Sequence, residues 1–226
     1  MIKNSVSIIS ARGGSKGLPD KNIKTFNGKP LILYTIEQSL RCFERTIVTS
    51  DSKKILNIAS NYKSVELLER PKNLAKDSSP KLPVLRHAIN KLNINCDIVA
   101  DIQPTSPLRK DKSILLASKQ LMKNKNAENI VSISKSNIHP QYNLVFKKGE
   151  NISLLNPPKK PLTGRNKFNN NYVLNGAFFI WKLKTLLSDD NSIIRKNTLY
   201  FETKKDESVD IDDLIDFRFA EFISKN

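Results

Sequence analysis

The residues best suited to chemistry stand in a glycine-rich loop near the amino terminus. Residues 10–22 read Ser-Ala-Arg-Gly-Gly-Ser-Lys-Gly-Leu-Pro-Asp-Lys-Asn and include the cations Arg12, Lys16 and Lys21. They follow the apolar residues 6–9, which predict a buried strand. In open α/β sheets ligands bind at the carboxyl ends of strands, and exposed backbone N–H groups in glycine-rich turns can cradle an anion. The loop is therefore predicted to bind a polyphosphate, whose negative charge the three cations match.

This loop matches neither of two common phosphate-binding motifs. The Walker pattern needs Gly, four residues and then Gly-Lys-Ser/Thr, which does not occur in the chain. The dinucleotide fingerprint needs Gly-x-Gly-x-x-Gly, whereas these glycines stand at positions 13, 14 and 17. The prediction of phosphate binding therefore depends on the cations and glycines of this loop alone.

A second polar segment follows another predicted strand. Residues 103–109 read Gln-Pro-Thr-Ser-Pro-Leu-Arg and come directly after the apolar residues 98–102. The segment should thus lie at the same sheet edge as the first loop, and its two prolines make a stiff turn. Gln103, Thr105 and Ser106 offer neutral donors and acceptors suited to a polyhydroxylated substrate or a base edge. The alternative interpretation is a turn followed by a helix cap.

Two carboxylates near the carboxyl terminus form the third candidate group. In an extended segment, the alternation Asp210-Ile211-Asp212 places both carboxylates on one face. Such a pair suits a hard divalent cation that keeps waters and phosphate oxygens as its other ligands. Taken alone the pattern is weak, and a helix cap with solvated neighbours is the alternative. Asp213 extends the acidic cluster and is interpreted as a cap of the last helix.

Together these segments resemble the sugar-acid cytidylyltransferases, a group that includes the acylneuraminate, legionaminate and pseudaminate cytidylyltransferases. The group's amino-terminal signature Ala-Arg-x-x-Ser-Lys-x-x-x-x-Lys-Asn is matched by Ala11, Arg12, Ser15, Lys16, Lys21 and Asn22. Residues 103–109 and the Asp-Ile-Asp element match two further segments of the group. Ser10 stands where relatives usually carry Pro, a departure expected to alter the backbone slightly and leave the chemistry intact. The resemblance covers about residues 5–222 and is weakest over 141–171.

The resemblance implies a fold, a reaction and a set of site residues. The fold would be α/β, a mostly parallel central sheet flanked by helices, of the Rossmann-like nucleotidyltransferase type. The reaction would transfer CMP from CTP to the anomeric hydroxyl of a nine-carbon 2-keto sugar acid and release pyrophosphate. The implied catalytic residues are Arg12, Lys16, Lys21, Asp210 and Asp212, the two aspartates as ligands of Mg²⁺ or Mn²⁺. Implied nucleotide contacts are Ala11, Arg12, Gly13, Ser15, Lys16, Asn22, Arg70 and Lys81. Implied sugar contacts are Gln103, Thr105, Ser106, Arg165, Asn175, Phe178 and Phe179.

Two positions bear on substrate identity. Lys81 stands where relatives often carry small hydroxyl residues, so a charged phosphate contact is expected in place of a neutral one. The pair His139-Pro140 is followed by Gln141, whereas sialic-acid members often carry lysine there, which leaves the identity of the sugar open. His139 and His87 are both interpreted as structural residues. A metal ion that lowers the pKa of the attacking hydroxyl would remove the need for a histidine base.

Alternating apolar runs and amphipathic stretches predict the mostly parallel sheet and its helices. Predicted strands cover residues 5–10, 45–49, 64–68, 97–102, 129–134, 172–181 and 198–203. Predicted helices cover residues 30–42, 53–61, 82–92, 111–123 and 214–223. Asp111 is expected to cap the fourth helix. The last helix is expected to contact the core through Leu214, Phe217, Ala220 and Phe222.

Residues 137–171 interrupt this periodicity. The stretch is polar, contains several prolines and a run of Asn, and is too long for a simple connection. We predict one nucleotidyltransferase domain over residues 1–226 with this stretch as an insertion, either a dimerisation arm or a lid over the sugar site. A floppy insertion is the alternative.

Composition narrows the class of partner. The 226 residues carry a formal net charge of +16, but the excess lysines are spread along the chain without a run of five or six. This spread argues against nucleic-acid binding, while the charge should attract anionic nucleotides. No run of eighteen apolar residues and no signal-peptide core are present, so a cytoplasmic protein without membrane contact is expected. Cys42 and Cys96 lack metal-ligand spacing and are interpreted as small buried apolar residues.

Several alternatives stay open at this stage. A legionaminate or pseudaminate acceptor is plausible, whereas the octulosonate enzymes lack the Lys-x-x-x-x-Lys-Asn portion of the loop. From a different class, the chain could be a non-catalytic basic nucleotide- or RNA-binding protein. Convergence of Asp210 and Asp212 on the Arg12 loop would favour the enzyme, because a basic binding protein needs no carboxylate pair there. A homodimer is expected, from the resemblance alone.

Overall fold

The computed structural model describes residues 1–15, 17–76, 79–159 and 171–225. Its strands are β1 (Ile2–Ser10), β2 (Thr25–Phe26), β3 (Lys29–Pro30), β4 (Phe43–Ser50), β5 (Val65–Glu69), β6 (Ile98–Ile102), β7 (Asn129–Ser136), β8 (Val145–Lys148), β9 (Asn151–Leu154), β10 (Asn171–Lys182) and β11 (Thr198–Glu202). Its α-helices are α1 (Leu31–Cys42), α2 (Lys53–Ala59), α3 (Lys81–Lys91), α4 (Asp111–Lys123), α5 (Leu183–Leu186) and α6 (Leu214–Lys225). The predicted elements are therefore present, with ends shifted by a few residues.

The central sheet has seven strands in the order β11-β7-β10-β6-β1-β4-β5. β1 lies near the middle and pairs in parallel with both β4 and β6, and β4 pairs in parallel with β5. β10 lies antiparallel between β6 and β7, and β11 pairs in parallel with β7. The prediction of a mostly parallel sheet is confirmed. Among the described strands, the two antiparallel pairings of this sheet are those of β10 with β6 and with β7.

Helices cover both faces of this sheet, which explains why its inner strands are mostly buried and rich in apolar residues. On one face, Ala117 and Leu121 of α4 pack in a cluster with Ile180 of β10. On the other face, Leu82 of α3 packs in a cluster with Trp181 of β10. Consecutive residues of β10 thus face opposite layers, as the pleat of a strand requires.

The last helix, α6, docks through a narrow stripe. Phe217 and Ala220 are buried in a cluster that also contains Ile211, from the segment just before the helix. The expected core contacts of Leu214 and Phe222 are wrong, because these side chains are 42% and 67% exposed. The helix lies at the surface, so only one side of it meets the body of the domain.

Two smaller expectations are also corrected. Asp111 does not cap α4; its carboxylate instead accepts hydrogen bonds from Gln38 Nε2 at 2.8 Å and Arg41 Nε at 2.6 Å. Cys42 is buried as expected, whereas Cys96 is only partly buried. Burial raises the pKa of both thiols to about 11, so neither is an activated nucleophile.

Within the predicted insertion 137–171, the structure describes an exposed hairpin of β8 and β9. Residues 160–170 lie outside the described part of the chain. The interpretation of this stretch as a dimerisation arm or a lid therefore stays a prediction. In the part of the chain that the structure covers, no helix is long and apolar enough to cross a membrane.

Candidate functional site

A cavity of about 340 Å³ opens at the carboxyl ends of β1 and β6. It is lined by residues from all three segments that the sequence singled out, together with the segment after β5 and the start of α3. The predicted site residues among its walls are Arg12, Ser15, Lys21, Asn22, Arg70, Lys81, Gln103, Thr105, Asp210 and Asp212. The carboxylate pair and the cationic loop thus share one cavity, as the enzyme interpretation requires.

Direct contacts join the amino-terminal loop to the carboxyl-terminal aspartates. Lys21 Nζ donates hydrogen bonds to the carbonyl of Ile211 at 2.5 Å and to Asp212 Oδ1 at 3.1 Å. A Cβ at Gly17 would lie 2.5 Å from the carbonyl oxygen of Asp212, so only glycine allows this approach. The N–H of Ile211 donates to the carbonyl of Thr105 at 2.9 Å, which ties in the third segment. The three segments therefore form one unit.

The two aspartates differ in environment. Burial raises the pKa of Asp210, and the nearby charge of Asp212 adds to the effect, against a hydrogen bond from Thr105 and the charges of Lys21 and Lys81. Asp210 Oδ1 is buried and has no hydrogen-bond partner among the residues that the structure describes. The Asp212 side chain is 82% exposed. One carboxylate is thus poorly solvated and has an oxygen without a hydrogen bond from the described residues, and the other faces the solvent of the cavity.

These carboxylates fit a hard divalent cation. An unpartnered buried carboxylate oxygen is costly unless a donor or a cation meets it. Among residues 1–15, 17–76, 79–159 and 171–225, no group of three or more His, Cys, Asp or Glu side chains could hold a metal by itself. A pair of carboxylates suits Mg²⁺, which keeps waters and substrate phosphate oxygens in its remaining positions. The predicted ligands Asp210 and Asp212 are therefore compatible with an ion shared between protein and substrate.

The glycine-rich loop is fixed from both sides. Asn22 Nδ2 donates to the carbonyl of Arg12 at 3.0 Å. The N–H of Gly13 donates to Asp51 Oδ1 at 3.0 Å, and a Cβ on this glycine would lie 2.8 Å from Ser52 Cβ. Gly13, Arg12 and Asn22 also line a small recess beside the main cavity. The backbone of the loop is thus held by hydrogen bonds and close packing.

Arg70 supplies a second guanidinium group to the cavity, beside that of Arg12. The residue is 7% exposed, and Nη2 donates to the carbonyl of Thr49 at 2.7 Å. Burial lowers its pKa, and the charge of Arg12 acts in the same direction, whereas Asp51 and Asp101 oppose the shift. Two guanidinium groups close enough to disfavour each other's charge suit an anionic ligand between them.

The segment 103–109 is organised from inside by a buried arginine. The guanidinium of Arg109 donates to the carbonyls of Gln103 and Ala177 and to the hydroxyl of Thr35. Burial lowers the pKa of Arg109. These bonds satisfy the backbone of the turn and leave the side chains of Gln103 and Thr105 to face the cavity.

Three residues that were predicted as ligand contacts lie in the core. Ala11, Ser106 and Phe178 are each fully buried and absent from the cavity walls. Ala11 packs under the loop with α1 and α2, and its N–H donates to the carbonyl of Thr49. Phe178 faces the α4 layer, opposite to Phe179. These side chains expose no surface to the cavity, and the predicted nucleotide contact of Ala11 and sugar contacts of Ser106 and Phe178 stay predictions.

Asn175 and Phe179 also serve the fold. Asn175 Nδ2 donates to Thr203 Oγ1 at 2.6 Å, and its Oδ1 accepts from the N–H of Ala177 at 3.2 Å. Both ends of the amide are thus used where the register between β10 and β7 shifts. Phe179 is 4% exposed, and its ring lies 4.1 Å from Lys81 Nζ. These contacts serve the fold, and the predicted sugar contacts at the two residues stay predictions.

Sequence reasoning missed Asp101 in β6. This carboxylate is fully buried and lies 3.1 Å from Lys81 Nζ. A charged residue within a buried strand was the available signal, because such a group needs a partner. Two predicted site residues, Lys16 and Arg165, lie outside the described residues.

Comparison with known proteins identifies relatives of this chain. Residues 6–214 match the model of a family described as "Cytidylyltransferase". The N-acylneuraminate cytidylyltransferase of Escherichia coli O18:K1:H7 is 33% identical over 221 residues, which cover 95% of this chain and 51% of that protein, so the chain spans about half its length. The CMP-N,N'-diacetyllegionaminic acid synthase of Campylobacter jejuni is 31% identical over 221 residues, covering 95% of this chain and 92% of the relative. A solved CMP:2-keto-3-deoxy-manno-octonic acid synthetase complexed with CTP superposes with a TM-score of 0.72 and 14% identity, covering 99% of both chains, and shows the shared fold.

Proposed function

This chain belongs to the cytidylyltransferase family. We propose that it transfers CMP from CTP to the anomeric hydroxyl of a nine-carbon 2-keto sugar acid bound in the cavity, with release of pyrophosphate. The observation that carries the proposal is the meeting of Arg12 and Lys21 with Asp210 and Asp212 in one cavity. A protein that only binds RNA through basic residues has no use for a carboxylate pair at this place.

The residues of the chain match the charge changes of this reaction. The hydroxyl oxygen bonds to the α-phosphorus while the bond from phosphorus to the bridging oxygen of pyrophosphate breaks. Negative charge spreads over phosphate oxygens in the transition state, so fixed cations supply most of the catalysis. Arg12 and Arg70 line the cavity for this purpose. Lys16 is proposed to contact the phosphates as well, on the basis of the sequence motif alone.

Asp210 and Asp212 would hold the Mg²⁺ or Mn²⁺ ion. Bound there, the ion would lower the pKa of the attacking hydroxyl and offset phosphate charge. Lys21 holds the Asp212 carboxylate at 3.1 Å and fixes the backbone at Ile211, so it keeps this segment against the loop. The proposed role of Lys21 therefore includes positioning a carboxylate as well as contacting phosphate.

The acceptor is proposed to be of the sialic-acid type. The relatives described above are named for N-acylneuraminate and for diacetyllegionaminic acid, so a legionaminate or pseudaminate acceptor is the alternative. An octulosonate acceptor has less support, because that likeness, at 14% identity, concerns the fold. Gln103 and Thr105 face the cavity and would orient hydroxyl groups of the acid. By sequence, Arg165 is the proposed partner of its carboxylate.

A homodimer is part of the proposal. Large apolar side chains are exposed on the hairpin and on the first half of β10, including Val145 at 49%, Ile152 at 68% and Leu174 at 47%. Several large apolar side chains exposed on neighbouring segments of the chain favour an interaction site. A second copy of the chain would cover it. A cytoplasmic location stays a prediction.

The test of the function is an acceptor panel. Purified protein receives CTP and Mg²⁺ with N-acetylneuraminic, legionaminic, pseudaminic or octulosonic acid, and pyrophosphate release and the CMP-sugar are measured. We expect turnover with at least one nine-carbon acid and none without CTP or acceptor. Failure with all nine-carbon acids would overturn the proposal, and binding of RNA without turnover would favour the basic binding protein.

A further inference from the structure

Asp101 is a fully buried acid that the reaction described above does not use. It lies in β6 beneath the cavity, and its Oδ2 accepts hydrogen bonds from Gln103 Nε2 at 2.8 Å and Lys81 Nζ at 3.1 Å. Both donors line the cavity. A buried carboxylate is costly unless it is paired, and two donors from the cavity wall offset part of that cost at Oδ2, whereas Oδ1 has no hydrogen-bond partner among the described residues. The carboxylate therefore links two side chains that a ligand would touch.

Asp101 fixes which end of the Gln103 amide faces the cavity. An ionised carboxylate only accepts hydrogen bonds, so the amide must turn its NH₂ group toward Asp101. Its carbonyl oxygen Oε1 is then the end directed away from the carboxylate. The backbone of Gln103 is also held, by bonds to Ala177 and Arg109. The cavity thus presents a hydrogen-bond acceptor at a fixed place.

Asp101 also fixes Lys81. The ammonium lies 4.1 Å from the ring centre of Phe179, and Phe179 is the cross-strand partner of Asp101 in the β10–β6 pair. One side of the ammonium therefore contacts a ring and another side contacts a carboxylate that offsets its charge. Its side chain is 27% exposed. A paired ammonium acts as a directed hydrogen-bond donor more than as a counter-ion for a triphosphate.

We propose that Asp101 is a positioning residue, which sets Gln103 Oε1 and Lys81 Nζ as an acceptor and a donor side by side. Such a pair recognises a hydroxyl or amide N–H next to an acceptor oxygen. This inference rests on the proposed function, since a nine-carbon sugar acid of the sialic type carries hydroxyl and amide N–H groups remote from the reacting hydroxyl. Asp101 therefore acts on binding of the acid through its two neighbours.

The test compares KM and kcat in matched variants of the full chain. We expect Asp101→Asn to raise KM for the sugar acid by about tenfold, with KM for CTP and kcat within about threefold of wild type. The double variant Asp101→Leu with Lys81→Met replaces the pair by apolar groups and should fold while keeping the raised KM. Asp111→Asn is the control, because Asp111 also accepts from a glutamine amide, of Gln38, and from a cation, Arg41, away from the cavity. Its KM values should match wild type.

The outcomes separate this inference from the proposed function. An active Asp101→Asn enzyme with an unchanged KM for the acid overturns the inference alone. A double variant that recovers the wild-type KM also overturns it, because Asp101 would then serve the fold only. Absence of turnover by the wild-type protein with every acid overturns the proposed function, and this inference with it.

Discussion

At the scale of single residues, Asp210 illustrates how a ligand site opposes stability. Burial, together with the charge of Asp212, raises the pKa of its carboxyl. A group whose pKa is raised by folding favours the folded state when protonated, and this stabilisation is lost as the pH rises through the folded pKa. The ionised form of Asp210 is therefore the form that the ligand-free fold disfavours.

Asp210→Asn should raise the melting temperature of the ligand-free protein at pH 7, because an amide stays neutral when buried. The gain should shrink when the pH is lowered to 4, because acidification protonates the wild-type carboxyl and its raised pKa favours this in the folded state. Thermal unfolding of both proteins at the two pH values measures this difference. Asp212→Asn is the control: that side chain is 82% exposed and paired with Lys21, so no gain is expected. A lower melting temperature for Asp210→Asn at pH 7 would refute the account.

The sequence predicted most residues of the cavity but not which side chains face it. A motif match keeps residues together along the chain, whereas the pleat and the turn decide which of them point inward. Ser106 and Phe178 belong to matched segments and are nevertheless buried. Asp101 escaped notice because its partner Lys81 is twenty residues away along the chain and 3.1 Å away in space.

At the scale of elements, the site depends on how the carboxyl-terminal segment docks on the first loop. Ile211 is buried beside Leu18 of the loop and Phe217 of α6, and this packing places the flanking aspartates at the cavity. Gly17 allows the carbonyl of Asp212 to approach, and Lys21 completes the contact. Hydrophobic packing and a single glycine therefore position residues that are about 190 positions apart.

Gly17→Ala tests this docking. Its added Cβ would lie 2.5 Å from a backbone oxygen of Asp212, so the segment must shift. We expect kcat/KM to fall by about tenfold or more, with the fold retained, because a displacement of about 1 Å at a catalytic group has effects of this order. Gly14→Ala is the matched control in the same loop, since its Cβ would meet no atom within 4 Å. Equal activities of the two variants would show that the close approach has no role.

Local patterns predicted the elements well and their arrangement less well. Period-two and period-3.6 apolar spacing located the strands and helices, because burial imposes those periods. The antiparallel direction of β10 was not predicted, since an apolar strand reads the same in either direction. The exposure of Leu214 and Phe222 on α6 was not predicted either, because the apolar spacing of a helix does not say how much of it the domain covers.

At the scale of the whole molecule, charge and exposed apolar surface suggest how the chain meets its partners. A formal net charge of +16 attracts a nucleoside triphosphate and should make KM for CTP rise with salt. None of the described hairpin residues lines the cavity. The cavity would thus serve the substrate and the hairpin a second copy of the chain.

Val145→Asp combined with Ile152→Asp should shift a dimer toward monomer. The pairing of Val145 with Leu154 and of Ile152 with Lys147 places both substituted residues on one face of the hairpin. Two carboxylates there would lose their water in the dimer, which is costly, and within the described hairpin only the one at position 152 would have a cation, Lys147, opposite it. Sedimentation velocity of wild type and variant measures the change. A monomeric wild-type protein at micromolar concentration would contradict the proposed dimer.

The central claim is that the cationic loop and the carboxyl-terminal aspartates act together on the triphosphate. The most direct measurement is the rate of CMP-sugar formation by Arg12→Ala and by Asp212→Asn at saturating CTP, acceptor and Mg²⁺. Each variant removes one electrostatic contact with the transition state, so we expect turnover to fall by about two orders of magnitude or more. Rates equal to wild type in either variant would contradict the role assigned to that residue, and equal rates in both would refute the claim.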